Sequence, residues 1–249
     1  GMPAVVKPAS ATSFLTSVVA QEIIKSGILP EGALQLICGP ARTLLDHVDE
    51  RDVVTFTGSA TTGLKLRSHP NLLAHAVPFN MEADSLNSAV LGEHVVPGDP
   101  EFELFIKEVR KEMTVKSGQK CTAVRRVFVP RGQMDNVQEA LTQALSKAVM
   151  GDPQEEGVRM GALVHKEQKQ DVLAKMDVLK SEAESVYAHP LELVGDEVVE
   201  DAFLGPQLLR NNNPLNAQHC HEVEVFGPVA TLMPYNSLEE AIGLTKMGK

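Results

Sequence analysis

Cys121 stands in Ser117-Gly118-Gln119-Lys120-Cys121-Thr122, between an amphipathic run over 101–116 and a strand-like run over 123–129. A thiol in a loop between a helix and a strand is placed where a nucleophile can meet a substrate. Gly118 lets another chain segment or a ligand come close. A nucleophilic thiol needs a base. Glu82, in Phe79-Asn80-Met81-Glu82-Ala83-Asp84-Ser85, follows an apolar strand-like run and offers a carboxylate that can deprotonate the thiol or a later water. The plain alternatives are that free cysteines fill cores and glutamates decorate surfaces. The small, polar neighbours of Cys121 argue against a core position for it. Cys38 ends the mostly apolar run 34–38 and reads as core.

Other segments offer weaker chemistry. Val54-Thr55-Phe56-Thr57-Gly58-Ser59 leads a strand through a glycine turn into a helix start, where free N–H groups and the helix dipole favour a phosphate. Ser59 can either cap that helix or bind a phosphate oxygen. Lys7 ends the first strand-like run, a place where ligand contacts gather in parallel sheets, and a solvated lysine is the equal alternative. Glu224-Val225-Phe226-Gly227-Pro228-Val229 joins a carboxylate to a Gly-Pro turn and a strand, or is a loop with a capping glutamate. His219, Cys220 and His221 are adjacent and cannot all face one ion, so no metal site is expected.

The bounds are set by composition. The chain has 249 residues, 43% apolar, with no run long enough to span a membrane. A net charge of −10, with two Tyr and no Trp, disfavours nucleic acid and anionic membrane as partners. Three cysteines without metal spacing suit a reducing cytoplasm.

Hydrophobic periodicity predicts strands over 4–7, 33–38, 53–57 and 76–80, alternating with helices over 12–25, 41–48 and 59–68. That alternation implies a parallel sheet covered on both faces. Helices over 101–116, 133–148, 166–184 and 238–246, with strands over 123–129, 185–187, 203–209 and 228–234, make a second α/β unit. The junction falls near Glu82 to Ser85, giving domains 1–85 and 86–249.

Taken jointly, Val5-Val6-Lys7-Pro8-Ala9, Phe56-Thr57-Gly58-Ser59, Glu82, Gly118-Gln119-Lys120-Cys121-Thr122 and Glu224-Val225-Phe226-Gly227-Pro228-Val229 resemble the aldehyde dehydrogenase superfamily, in order and at family-like separations. The resemblance implies a partial Rossmann-like nucleotide-binding lobe followed by an α/β catalytic lobe. It implies Cys121 as nucleophile and Glu82 as general base. It also implies a cofactor site in which Lys7 holds the adenine-side ribose, Gly58 and Ser59 meet the pyrophosphate, and Glu224 with Phe226 serves the nicotinamide ribose. Three residues after Lys7, relatives that prefer NAD often carry a glutamate. Ser10 stands there, which points to NADP, with NAD as the alternative. The variant Asn80-Met81-Glu82-Ala83-Asp84-Ser85-Leu86-Asn87 is similar to the dehydrogenase domain of phenylacetic-acid-degradation proteins, which implies a CoA-thioester semialdehyde substrate from aromatic catabolism. A parallel sheet lacking neighbouring strands would leave an open edge and an uncovered apolar face, so a homo-oligomer is expected. By the same resemblance the chain starts partway into the nucleotide-binding domain and stops soon after the Glu224 motif, as an internal fragment with little activity alone. Two other readings are a non-catalytic remnant or assembly module, and a cysteine-dependent acyl transferase or thioesterase.

Overall fold

The computed structural model describes residues 1–195, 198 and 200–248. The chain divides into two compact units, Gly1–Ala83 and Asp84–Lys249.

In the first unit, β1 (Ala4–Val6) pairs in parallel with β2 (Leu34–Leu36), with Val5 opposite Gln35, and α1 (Ser13–Lys25) connects them. A second parallel pair joins β3 (Val54–Gly58) to β4 (Phe79–Ala83) through α2 (Ala60–Arg67) and α3 (Pro70–Ala74). The two pairs are separate ladders rather than the continuous covered sheet expected from the alternation. Leu45, Leu72 and Val77 form a small core against Val54 of β3 and Phe79 of β4. The apolar side chains of α1 remain open to solvent, Phe14 at 72% exposure, with Leu15, Val18 and Val19 beside it.

Four local expectations are corrected here. The helix read over 41–48 is a single 3-10 turn, Leu44–His47. The strand read over 76–80 lies later, at Phe79–Ala83, because Ala76 takes a left-handed φ of 50° and Val77 donates back to the Leu72 carbonyl, so these residues complete the turn after α3. Glu82 therefore lies inside β4, opposite Thr57, and not beyond a strand end. Cys38 is exposed, because β2 stops at Leu36.

The second unit is built on a five-stranded sheet in the order β5 (Asn87–Val90), β6 (Val124–Pro130), β11 (Val229–Tyr235), β10 (Gln207–Arg210), β8 (Glu184–Ala188). All neighbours are parallel except β8, which runs antiparallel to β10. Strand alternation sends successive side chains to opposite faces, and both faces are covered. Val127, Val129, Leu208, Ala230 and Leu232 meet α4 (Pro100–Thr114) and α5 (Met134–Leu145) on one side. Phe128, Leu209, Met233 and Tyr235 meet α6 (Lys166–Leu179) and α8 (Leu238–Thr245) on the other. Short strands β7 (Met150–Gly151) and β9 (Leu193–Val194) pair outside the main sheet. The helix expected over 166–184 ends at Leu179, and the strand expected over 203–209 begins only at Gln207. Strand β5 is absent from the periodicity reading: Asn87-Ser88-Ala89-Val90 has neither the length nor the apolar alternation of a strand, and only pairing with β6 makes it one.

Candidate active site

The turn that carries Cys121 is built by an unusual backbone. After α4, three consecutive residues take left-handed angles: Lys116 at φ 53°, Ser117 at φ 53° and Gly118 at φ 68°. Non-glycine residues resist this conformation, so tertiary bonds must hold them there. Buried Ser117 donates its hydroxyl to the Gly161 carbonyl at 2.6 Å, and Val164 N–H donates to Gln119 Oε1 at 2.9 Å. Lys120 Nζ donates to both carboxylate oxygens of Glu112, at 2.7 and 2.8 Å. Gly118 is required twice. Its φ is positive, and a Cβ there would run into the Gly227 carbonyl.

The chain then exposes Cys121 at the entrance to β6. Its carbonyl is fixed from below by two side chains that the sequence reading did not single out. Ser85 Oγ donates to it, and Asn87 Nδ2 donates to it at 2.6 Å while also reaching the Ala123 carbonyl at 3.2 Å. Ser85 also links this turn to the Glu224 loop, since its backbone N–H donates to Glu224 Oε2 at 3.3 Å.

Arg125, 5% exposed, lies between the two loops. Its Nη1 donates to Gly227 O at 2.6 Å and its Nη2 to Gly118 O at 2.7 Å. The guanidinium carbon sits 5.7 Å from the centre of the Phe226 ring, a cation–π contact. Glu224 Oε1 is 3.9 Å from Nη2, too far for a hydrogen bond. Burial pulls Arg125 down to about 10 despite the nearby Glu224 and Glu112 charges, so it stays charged at neutral pH. Burial likewise pushes the Glu224 carboxyl above its ordinary range, against the opposing pull of Arg125 and the Ser85 N–H. Both partners thus shift toward neutrality: desolvation outweighs their mutual attraction. A sequence signal existed for Arg125. Two arginines, Arg125 and Arg126, interrupt an otherwise apolar strand, and charge inside a core strand demands partners.

The three thiols occupy different environments. Cys121 and Cys38 are exposed. Cys220 is buried, and desolvation with the Glu182 charge pushes it up to about 12. Among the described residues, no cluster of three or more His, Cys, Asp or Glu could hold a metal ion, and no helix is long and apolar enough to cross a membrane.

The remaining sequence-predicted positions belong to the first unit. Ser59 caps α2: its hydroxyl accepts from Thr62 N–H at 3.3 Å. Both Ser59 and Gly58 are exposed. Lys7 Nζ donates to the Pro8 carbonyl at 2.7 Å, and Ser10 opens a short exposed 3-10 turn. Glu82 is exposed on β4.

The second unit thus presents an exposed thiol on a pinned turn, joined through Ser85 and Arg125 to the loop that carries the half-buried Glu224, on a mostly parallel α/β sheet. The chain belongs to the aldehyde dehydrogenase family, a family of NAD(P)-dependent oxidoreductases, whose profile matches residues 1–246. Over its whole length it is 45% identical to the 3,4-dehydroadipyl-CoA semialdehyde dehydrogenase of Aromatoleum evansii, covering 48% of that protein. It is 28% identical to the alpha-ketoglutaric semialdehyde dehydrogenase of Bacillus subtilis (strain 168), covering 49% of it. In structure it is similar to a betaine aldehyde dehydrogenase from Staphylococcus aureus in complex with NAD+ and bearing a BME-modified cysteine. That match has a TM-score of 0.84 and 25% identity, and it covers 99% of this chain and 48% of the other. The chain spans about half the length of the curated relatives it matches.

Two outcomes follow from the site. Gly118→Ala combines left-handed strain with a backbone clash, and lowers the stability of the second unit by about 2 kcal/mol or more in urea unfolding. Gly157→Ala, also at positive φ but with open space around it, costs only the strain. For Glu224, the folded carboxyl titrates above 4.5, so its neutral form contributes stability below that pH, and this is lost as pH rises through the raised value. The urea midpoint of the second unit therefore carries a component that falls from pH 4.5 toward neutrality, and Glu224→Gln removes it.

Proposed function

We propose that this chain carries the nucleophile and part of the cofactor site of an aldehyde dehydrogenase that oxidises a CoA-thioester semialdehyde of aromatic-acid degradation in the cytoplasm. The observation that carries the reading is the exposed Cys121 thiol on a turn pinned through its backbone carbonyls. The name of the Aromatoleum relative supports the substrate class.

In this reading the Cys121 thiolate adds to the aldehyde carbon and forms a hemithioacetal. A bound nicotinamide cofactor supplies a hydride acceptor. Loss of hydride from the adduct leaves a thioester on Cys121, and Glu82 activates the water that releases the acid. The residues fit such a cofactor. Gly58 and Ser59 open α2 with exposed helix-start N–H groups, suited to a pyrophosphate. Glu224, half-buried beside Phe226, offers carboxylate oxygens to ribose hydroxyls. Lys7 and Ser10 serve the adenine-side ribose. Ser10 is neutral and can donate to a 2′-phosphate, which a glutamate would repel. The cofactor is therefore NADP in preference to NAD.

A second copy of the chain is the proposed partner, supported by the apolar α1 side chains left exposed, Phe14, Leu15, Val18 and Val19. The same exposure favours an assembly module as the second reading.

The test, on the chain extended to the full length of its relatives, is absorbance of reduced cofactor with a CoA-linked semialdehyde and, in parallel, a simple aldehyde. Cofactor reduction that favours the CoA-linked substrate and is abolished by Cys121→Ser is expected. Reduction that survives Cys121→Ser removes the thiol mechanism, and a chain that only self-associates supports the assembly reading. Ser10→Glu should shift kcat/KM toward NAD by roughly tenfold or more, about 1.4 kcal/mol of lost 2′-phosphate recognition; an unchanged ratio overturns the cofactor assignment.

A further inference from the structure

We propose that Arg125 is a positioning residue for Cys121: one buried guanidinium holds the nucleophile's turn and the Glu224 loop together as a single piece. The inference rests on the reading of Cys121 as nucleophile and adds a residue to it.

The two segments cannot hold each other. Gly118 packs directly against the Gly227 carbonyl, and the groups that each loop turns toward the junction are carbonyl oxygens, Gly118 O and Gly227 O. Two acceptors need a shared donor. Arg125 supplies it with separate arms, Nη1 to Gly227 O at 2.6 Å and Nη2 to Gly118 O at 2.7 Å, and Nη2 lies 3.3 Å from Lys120 O. The gripped carbonyls flank the chemistry on both sides. Gly118 and Lys120 precede Cys121, and Gly227 follows Glu224 and Phe226. A planar fork suits this geometry, whereas a lysine ammonium on a flexible stem does not fix two carbonyls in one plane. The arrangement leaves Arg125 Nε as the one buried side-chain polar atom among the described residues without a partner, so the guanidinium is set by its two carbonyl grips rather than by its own full satisfaction.

Arg126, the next residue, provides the contrast. Its guanidinium donates to the carbonyls of Leu86, Leu244 and Thr245 and lies 3.2 Å from His221 Nδ1, so it ties the end of α8 to the segment between Ser85 and Asn87 and makes no bond to Gly118 O or Gly227 O.

The test needs neither cofactor nor aldehyde. In the unmodified chain, hydrogen exchange of amides 118–123 and of amides 225–227 and 229 should show both segments opening at one free energy with one denaturant dependence. Separate openings overturn the proposal, and this arm stands even if a variant fails to fold. In Arg125→Lys, acylation of Cys121 by p-nitrophenyl acetate, followed by mass spectrometry, should fall roughly tenfold or more in maximal rate with little change in half-saturation, since small misplacements of a nucleophile are costly. Arg131→Lys, beyond the opposite end of β6 and bonded to Asn236 Oδ1, should leave that rate unchanged. A merely structural role for Arg125 would lower the amount of reactive protein and not the rate; that result, or an equal rate loss in Arg131→Lys, overturns the proposal. Failure of the dehydrogenase reading appears separately, as absent cofactor reduction with the exchange and acylation behaviour intact.

Discussion

Gly118 lies against the Gly227 carbonyl with no room for a side chain, and Arg125 donates to the carbonyls of both residues. Hydrogen bonds from a charged donor contribute about 1.5–3 kcal/mol each, while burying a guanidinium costs several. The carbonyls of Gly227, Gly118 and Lys120 accept from it and the Phe226 ring lies 5.7 Å away, which offsets that cost. Everything that gives Cys121 a defined position passes through this contact or its neighbours: the left-handed run 116–118, the Glu112–Lys120 pair, and the Ser85 and Asn87 side chains beneath the Cys121 carbonyl.

The sheet of the second unit explains how so exposed a thiol is held in place. Strand β6 is buried along its length, with β5 on one side and β11 on the other, and each face is packed by a helix pair. The Cys121 turn enters the first residues of this strand, so its position is inherited from the most constrained part of the unit. The Glu224 loop enters β11, the parallel neighbour of β6. Parallel neighbours bring their entry loops to the same sheet edge, and this is how residues about a hundred positions apart come to share one guanidinium.

The first unit has a different character. Its ladders are two-stranded and its described core is small, so α1 keeps apolar side chains in water. Each short ladder nevertheless shapes a loop: β1 ends before Lys7, and β3 runs through Gly58 into the Ser59 cap of α2.

The order of motifs along the chain determined the family, and local apolar periods determined most of the elements. A thiol among small polar neighbours, a Gly-Ser helix entry, and apolar periods of two and 3.6 residues are local signals, and they marked Cys121, Ser59 and nearly every long helix and strand. What failed was non-local. Strand β5 exists only because β6 supplies its partners. β4 lies three residues later than its apolar pattern indicated because Ala76 and Val77 are bound into a turn. Cys38 is exposed because β2 ends before it. The supporting side chains, Ser85, Asn87 and Arg125, carry no local mark beyond an odd charge in an apolar strand, since a polar side chain's role depends on which carbonyl the folded chain brings to it. That meeting is decided by the parallel pairing of β6 with β5 and β11, which no spacing along the chain encodes.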